Sequence, residues 1–252
     1  METDDAKVKS LYKALKMLEL FDRENPERGV MELARLSGML KSSVYNIIST
    51  FAKCGYVEKN QRTGKYRLGL KILELSNVLQ NNDETSRVIK PFMDNIAESC
   101  NETVYFAIPS GPEVIYIDAS HPKGMTFTRS VVGVKVKMYC TSVGKAMLAF
   151  LGEDLVMEVV ALGMKPYTPY TLTNEEALRR DLEETRRRGY SIDNMEHEYG
   201  IRCVGAPVRN QRGDVIGALS VSGPSLRVMD EKVQLFSQRL VGAAREMEAI
   251  LK

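Results

Sequence analysis

The sequence predicts an α+β chain in two domains: a small helical one carrying a short β-hairpin, and a larger mixed α/β one. Three observations predict it. The 252 residues exceed a typical single domain. Helix-period and strand-period patterns change character across a polar break, NNDET (81–85). Hydrophobic residues at 44% and charged residues at 27% are ordinary for a globular chain able to bury a core.

Residues 7–22 place Val8, Leu11, Tyr12, Leu15 and Leu18 on one face of an amphipathic helix, stopped by NPERG (25–29). A short helix over 30–37, a turn at Gly38-Met39-Leu40 and a helix over 41–53 follow, the last ended by Gly55. The runs 56–59 and 65–68 flank a polar turn containing Gly64 and read as a hairpin. A helix over 69–81 then spaces Leu68, Ile72, Leu75 and Leu79 as a short seam. The boundaries expected are 1–68 for the first domain, 69–83 for a linker helix and 84–252 for the second domain.

In that second domain a helix over 85–100 leads to the strand-like runs TVYFAIP and EVIYIDA, joined at Ser110-Gly111-Pro112. Strands are expected at 125–131 and 135–140, then helices at 142–151 and 153–162. Thr173-Asn174-Glu175-Glu176 reads as a capping box for a charged helix that stops at Gly189. Strands at 190–193, 201–208 and 214–222 follow, and a helix from Asp230 closes the chain with Val233, Phe236, Leu240, Ala244, Met247 and Leu251 on one face.

The stretch VMELARLSGMLKSSVYNIISTF carries most of the functional argument. Two helices crossing steeply through a short turn need a small residue at their approach, Ala34, and one tolerant of positive φ, Gly38. Leu33, Met39, Val44 and Ile47 would form the core between them. Lys41, Ser42, Ser43, Tyr45, Asn46 and Ser49 are left outward, a set of donors and acceptors suited to phosphates and base edges. The hairpin after this helix would be a wing with Arg62 and Lys65 near its tip. Within 33–73, Arg35, Lys41, Lys53, Lys59, Arg62, Lys65, Arg67 and Lys71 face only Glu58, although the whole chain is only +2. A winged helix-turn-helix on a double-stranded DNA operator is the expectation. One such module contacts few phosphates, so two copies on adjacent half-sites are expected, paired through helices 7–22 and 69–81.

No catalytic signature stands out: GxSxG, HExxH, GxxxxGK[ST] and paired-carboxylate patterns are missing, and SVGK (142–145) lacks the upstream glycine of a P-loop. Neither an enzyme nor a cofactor is expected. Cys54, Cys100, Cys140 and Cys203 are widely spaced and read as free thiols, and two histidines, His121 and His197, make no metal centre; both are expected in solvated turns. No apolar run spans a bilayer and the N-terminus lacks a signal-peptide pattern, which predicts a cytoplasmic protein without a membrane partner. Tyr105, Phe106 and Tyr116 read as core aromatics on strands.

MYCTSVGKAMLAFL (138–151), LEETRRRGYSIDN (182–194), YGIRCVGAPVRNQRGDVIGALSVSGP (199–224), the helix-turn-helix and the closing helix together resemble the IclR family of bacterial regulators, over nearly the whole chain. The resemblance implies a GAF-like effector domain, homodimers that often pair into homotetramers, and small organic acids as effectors. It places Ser142, Val143, Asp193, Cys203, Ser220 and Ser222 in the effector pocket. Ser220 and Ser222, two apart, share a strand face with Ile216 and Ala218; they either bond to neighbouring backbone or donate to a ligand carboxylate. The N-terminus of helix 142–151 would add backbone N–H groups. Asp193 could accept from a ligand hydroxyl, repel a wrong anion, or cap the turn after its strand; Cys203 would be a small wall residue. The recognition helix has Asn46 where many members carry arginine, which points to a different operator.

Overall fold

A computed structural model describes residues 6–81, 84–124 and 131–251. The chain divides into two units, Met1–Asp83 and Glu84–Lys252.

In the first unit α1 (Lys9–Leu18) precedes α2 (Val30–Ser37) and α3 (Lys41–Lys53). α1 stops four residues before the sequence pattern does. Asp22 accepts from the Asn25 N–H at 2.7 Å and pairs with Arg28, whose Nε also takes the Leu20 carbonyl at 2.6 Å, so the chain turns under the helix end. The predicted stripe divides accordingly. Met17 is buried and Leu18 packs on the core, while Val8, Leu11 and Leu15 are each more than half exposed.

Gly38 ends α2 in the left-handed conformation, φ 66°, and lets the Met39 N–H reach the Ala34 carbonyl. The core between the helices is Leu33, Val44 and Ile48, all fully buried. Met39 and Ile47, expected there, only pack against it; Ile48 is the residue the pattern missed. β1 (Val57–Lys59) and β2 (Tyr66–Leu68) form the two-stranded antiparallel wing, and an isolated antiparallel bridge joins Arg28 to Tyr66. α4 (Lys71–Asn81) follows; Leu73, Val78 and Leu79 on it, and Leu70 just before it, are strongly exposed.

The second unit opens with α5 (Glu84–Cys100) and then builds a six-stranded antiparallel sheet. Its strands are β3 (Thr103–Ser110), β4 (Glu113–Ser120), β5 (Lys135–Lys137), β6 (Ser191–Asn194), β7 (Ile201–Arg209) and β8 (Val215–Pro224), in the order β5-β4-β3-β8-β7-β6. α5 and the closing α9 (Asp230–Glu248) cover one face over Phe106, Val204, Leu219, Val221 and Phe236. On the other face lie α6 (Ser142–Leu148), α7 (Glu153–Ala161) and α8 (Glu175–Arg188), with Val143 and Met147 of α6 and Leu178 of α8 in one cluster with Ala107 and Ala218 of the sheet.

Three local expectations need correction. The strand at 135–140 gives way at Met138 to a 3-10 turn, Met138–Cys140. The helix at 142–151 ends at Leu148. α8 is capped by Asn174, whose Oδ1 accepts from the Ala177 N–H at 2.9 Å, one residue later than the capping box supposed. The strand expected at 125–131 lies almost wholly outside the described residues. Among the described residues no helix is long and apolar enough to cross a membrane, and no group of three or more His, Cys, Asp or Glu is arranged for a metal.

Candidate functional site

On α3 the anticipated outward side chains do lie outward. Lys41, Ser42, Tyr45 and Asn46 are exposed, and Ser43 and Ser49 are half-buried at the edges of the same face. No side chain caps the start of α3, so its first-turn N–H groups open to the surface that Lys41 and Ser42 occupy. Arg62 and Lys65 are exposed near the wing tip. That tip is tied down: the Asn60 Oδ1 accepts from the Arg62 N–H at 2.9 Å, and the Glu27 carboxylate accepts from Asn60 Nδ2 at 2.8 Å and Thr63 Oγ1 at 3.0 Å. Those two bonds hold the Glu27 carboxyl below its ordinary pKa. Two other cations of the basic stretch are matched locally, Arg67 with Glu58 and Lys71 with Glu74.

The six residues that the resemblance assigned to an effector pocket lie near one another in the second unit. Register sets Asp193 opposite Cys203, Cys203 opposite Ser222, and Ser222 opposite Thr103, one row across four strands. The adjacent row on the same face is Ser191, Gly205, Ser220 and Tyr105. Gly205 is needed because a Cβ there would lie 2.7 Å from the Ser142 carbonyl group. α6 therefore rests directly on β7, and the Ser191 Oγ donates to the Ser142 carbonyl at 2.6 Å. That contact brings Ser142 and Val143 over both rows, and both are buried. The Gly144 N–H is already taken by the Thr141 side chain at 3.2 Å, so the anion-friendly helix start anticipated here is partly spent.

Cys203 donates to the Ser222 Oγ at 3.1 Å; burial, then the Asp193 charge, pushes its thiol pKa up, so it stays protonated. Ser220 is 2% exposed and its hydroxyl makes no hydrogen bond among the described residues. Ile216 does not share the serines' face. The register shifts between Val208 and Arg209, and Ile216 turns to the α5/α9 core while Val215 packs on the opposite face, against the cluster under α6. Of the three roles left open for Asp193, the turn cap is observed: its Oδ1 accepts from the Glu196 N–H at 2.7 Å and the His197 N–H at 3.4 Å. Burial, reinforced by the Glu196 charge, raises its pKa to about 7. Both histidines, expected in solvated turns, are half-buried and have side-chain partners. His121 Nδ1 meets Thr103 Oγ1 at 3.1 Å, and His197 packs edge-on against Tyr167 with Cys140 Sγ 3.8 Å from its Nδ1.

Sequence reasoning missed Lys145. It is fully buried, 2.6 Å from Glu196 Oε1 and 3.2 Å from Asp181 Oδ2, and so joins α6 to the β6–β7 turn and to α8. Burial opposes its charge, but the two carboxylates outweigh that and hold its pKa above the ordinary lysine value. A lysine between Gly144 and Ala146 in an otherwise small and apolar run was the available signal. Its partners, 36 and 51 residues away, were not legible.

Residues 10–61 match the IclR helix-turn-helix domain, and residues 78–249 match the family described as bacterial transcriptional regulator IclR C-terminal. The HTH-type transcriptional regulator XynR of Escherichia coli K12 is 31% identical over 245 residues, 97% of each chain. The HTH-type transcriptional regulator KdgR of the same strain is 32% identical over 243 residues, 96% of this chain and 92% of KdgR. The crystal structure of an IclR transcriptional regulator from Alicyclobacillus acidocaldarius superposes with a TM-score of 0.85 at 25% identity, over 97% of this chain and 99% of that one. With a helix-turn-helix unit, an effector-binding unit and relatives aligned along nearly its whole length, the chain belongs to the IclR family of bacterial transcriptional regulators.

Proposed function

We propose that the protein controls a catabolic operon by binding its operator through α3 and a small organic acid in the pocket between the sheet and α6. Lys41, Ser42, Ser43, Tyr45, Asn46 and Ser49 enter the major groove, and Arg62 and Lys65 hold the adjacent backbone. Two copies act together, joined through exposed apolar side chains at the start of and along α1 (Val8, Leu11 and Leu15) and on α4 (Leu73, Val78 and Leu79). The linker helix lies between the two functions in sequence, and effector binding changes operator occupancy by a coupling of about 1–3 kcal/mol.

The observation that carries the pocket reading is Ser220. A hydroxyl this buried is costly without a partner, and a carboxylate lying against Ser220, Ser222 and Ser142 supplies one. The surroundings offer no uncommitted cation among the described residues, since Lys145 is bound to Glu196 and Asp181, and the one carboxyl of the set, Asp193, has its pKa raised to about 7. Recognition therefore rests on hydroxyl and backbone donors, which suits a small anion of modest affinity.

The test is binding of the purified chain to DNA upstream of its own gene at low salt, with organic acids screened by thermal shift. The reading expects a hit that raises the melting temperature and alters operator affinity, and weaker binding of that hit to Ser220→Ala and Ser222→Ala. Unchanged affinity in both variants would misplace the pocket.

A further inference from the structure

Leu40 is 76% exposed, the most open large apolar side chain among the described residues of the first unit. Met39, just before it, packs against the core of Leu33, Val44 and Ile48, and the exposed apolar residues assigned above to pairing stand at α1 and α4. Leu40 belongs to neither group. It occupies the N-cap of α3, with φ −64° and ψ 141°, and its carbonyl accepts from the Val44 N–H at 3.0 Å. That position favours a side-chain oxygen able to take a first-turn N–H, and leucine is among the residues least favoured there. No side chain caps α3, so the helix start forgoes a bond that serine or aspartate would make. Leu40 thus departs from local preference twice, as an N-cap without an oxygen and as an apolar side chain in the open. Residues that break local rules without a gain inside the fold mark functional positions.

We infer that Leu40 reads a thymine: its side chain packs against the C5-methyl group of one thymine in the major groove of each half-site. The inference rests on the reading that α3 enters that groove. Lys41 and Ser42, the next two residues, are exposed donors, and a recognition helix presents its N-terminal residues to base edges. Those polar neighbours have hydrogen-bonding edges to meet. A leucine has only apolar burial to offer, and the thymine methyl is the one methyl group that the major groove displays. At adenine, guanine or cytosine the same side chain covers donors or acceptors and replaces none of their bonds to water. Leu40 therefore gains at thymine and loses at each alternative, and the discrimination needs no hydrogen bond.

The experiment is fluorescence anisotropy of the full chain on a duplex from the DNA upstream of its own gene. Each thymine is replaced in turn by deoxyuridine, which removes the methyl and leaves the pairing edge intact. The inference expects one replacement per half-site to weaken binding by about 4-fold, the worth of one buried methyl. In Leu40→Ala the thymine duplex binds more weakly and the same replacement costs nothing, while the slope of log K against log salt is unchanged. Leu40→Ser supplies the missing cap, so the DNA-free melting temperature does not fall although the thymine preference is lost. A native chain indifferent to every replacement, or a preference that survives Leu40→Ala, overturns the inference and leaves the operator reading standing. A lower DNA-free melting temperature in Leu40→Ser overturns it too, since the leucine would then be holding the fold. If the chain binds no such duplex, or binds it equally well with Lys41→Ala and Asn46→Ala, the operator reading fails and the inference goes with it.

Discussion

Lys145 Nζ and Glu196 Oε1 lie 2.6 Å apart with both residues buried, and the second carboxylate, Asp181, stands 3.2 Å from the same nitrogen. The Glu196 Oε1 also accepts from the Asn194 N–H at 3.3 Å, so the pair reaches into the turn that carries Asp193. Removing the cation strands the buried Glu196. Lys145→Met is expected to destabilise the fold by about 3–5 kcal/mol, and Lys145→Met with Glu196→Gln to recover part of that loss. Urea unfolding measures both; an unchanged midpoint for Lys145→Met would show that the pair contributes nothing.

Asp193 predicts a dependence on pH. Its carboxyl titrates at about 7 in the fold against 3.8 for an ordinary aspartate. Between those values the folded chain keeps a proton that the unfolded chain has released. This group's stabilisation is therefore full on the acidic side, is lost as pH rises from about 4 through about 7, and levels off above that, a fall of up to about 4 kcal/mol. Asparagine can still accept from the Glu196 and His197 N–H groups but cannot ionise. Asp193→Asn should gain on the native chain as pH is raised from 5 to 8, read as melting temperatures. Parallel curves would refute the assignment.

Backbone and base contacts separate by salt. Arg62→Ala and Lys65→Ala should each weaken binding to all DNA sequences alike and lower the slope of log K against log salt by about 1. Asn46→Ala should instead cost about 1–3 kcal/mol on the operator and relax the preference at one base pair. Fluorescence anisotropy across a salt series tells these apart, and a change in slope for Asn46→Ala would reverse its role.

Two glycines should respond with opposite sign. Gly205→Ala places a Cβ 2.7 Å from the Ser142 carbonyl group and 2.9 Å from the Ser191 Oγ, so it must lift α6 from β7; a loss of about 1–3 kcal/mol is expected. Gly242, inside α9, has nothing within 4 Å of such a Cβ, and alanine there should stabilise by about 0.5–1 kcal/mol. Thermal melts of the two variants decide the matter.

What the sequence made legible follows from how local each signal is. Ala34, Gly38 and the spacing of Leu33 and Val44 encode the helix pair within a dozen residues, and α2 and α3 fall where the pattern put them. The wing and the sheet strands other than β5 were readable from alternation and turn residues for the same reason. Pattern could not show that the register shift near Val208 turns Ile216 away from the serines, because a bulge changes facing without changing composition. The length of α1 depended on Arg28 reaching back to Asp22 and Leu20. The pocket residues came from the family resemblance. Their convergence depends on strand order, and Lys145 met Glu196 and Asp181 only once distant segments were side by side.

The Glu27 clamp on Asn60 and Thr63 bears on how an operator would be measured. With the wing tip tethered to the segment entering α2, Arg62 sits at a set distance from the recognition helix, like the second jaw of a calliper. On a duplex, such a calliper responds to the width of the groove beside each half-site. On the proposed reading, flanking base pairs would then be selected through the shape they impose, even where no side chain meets a base edge.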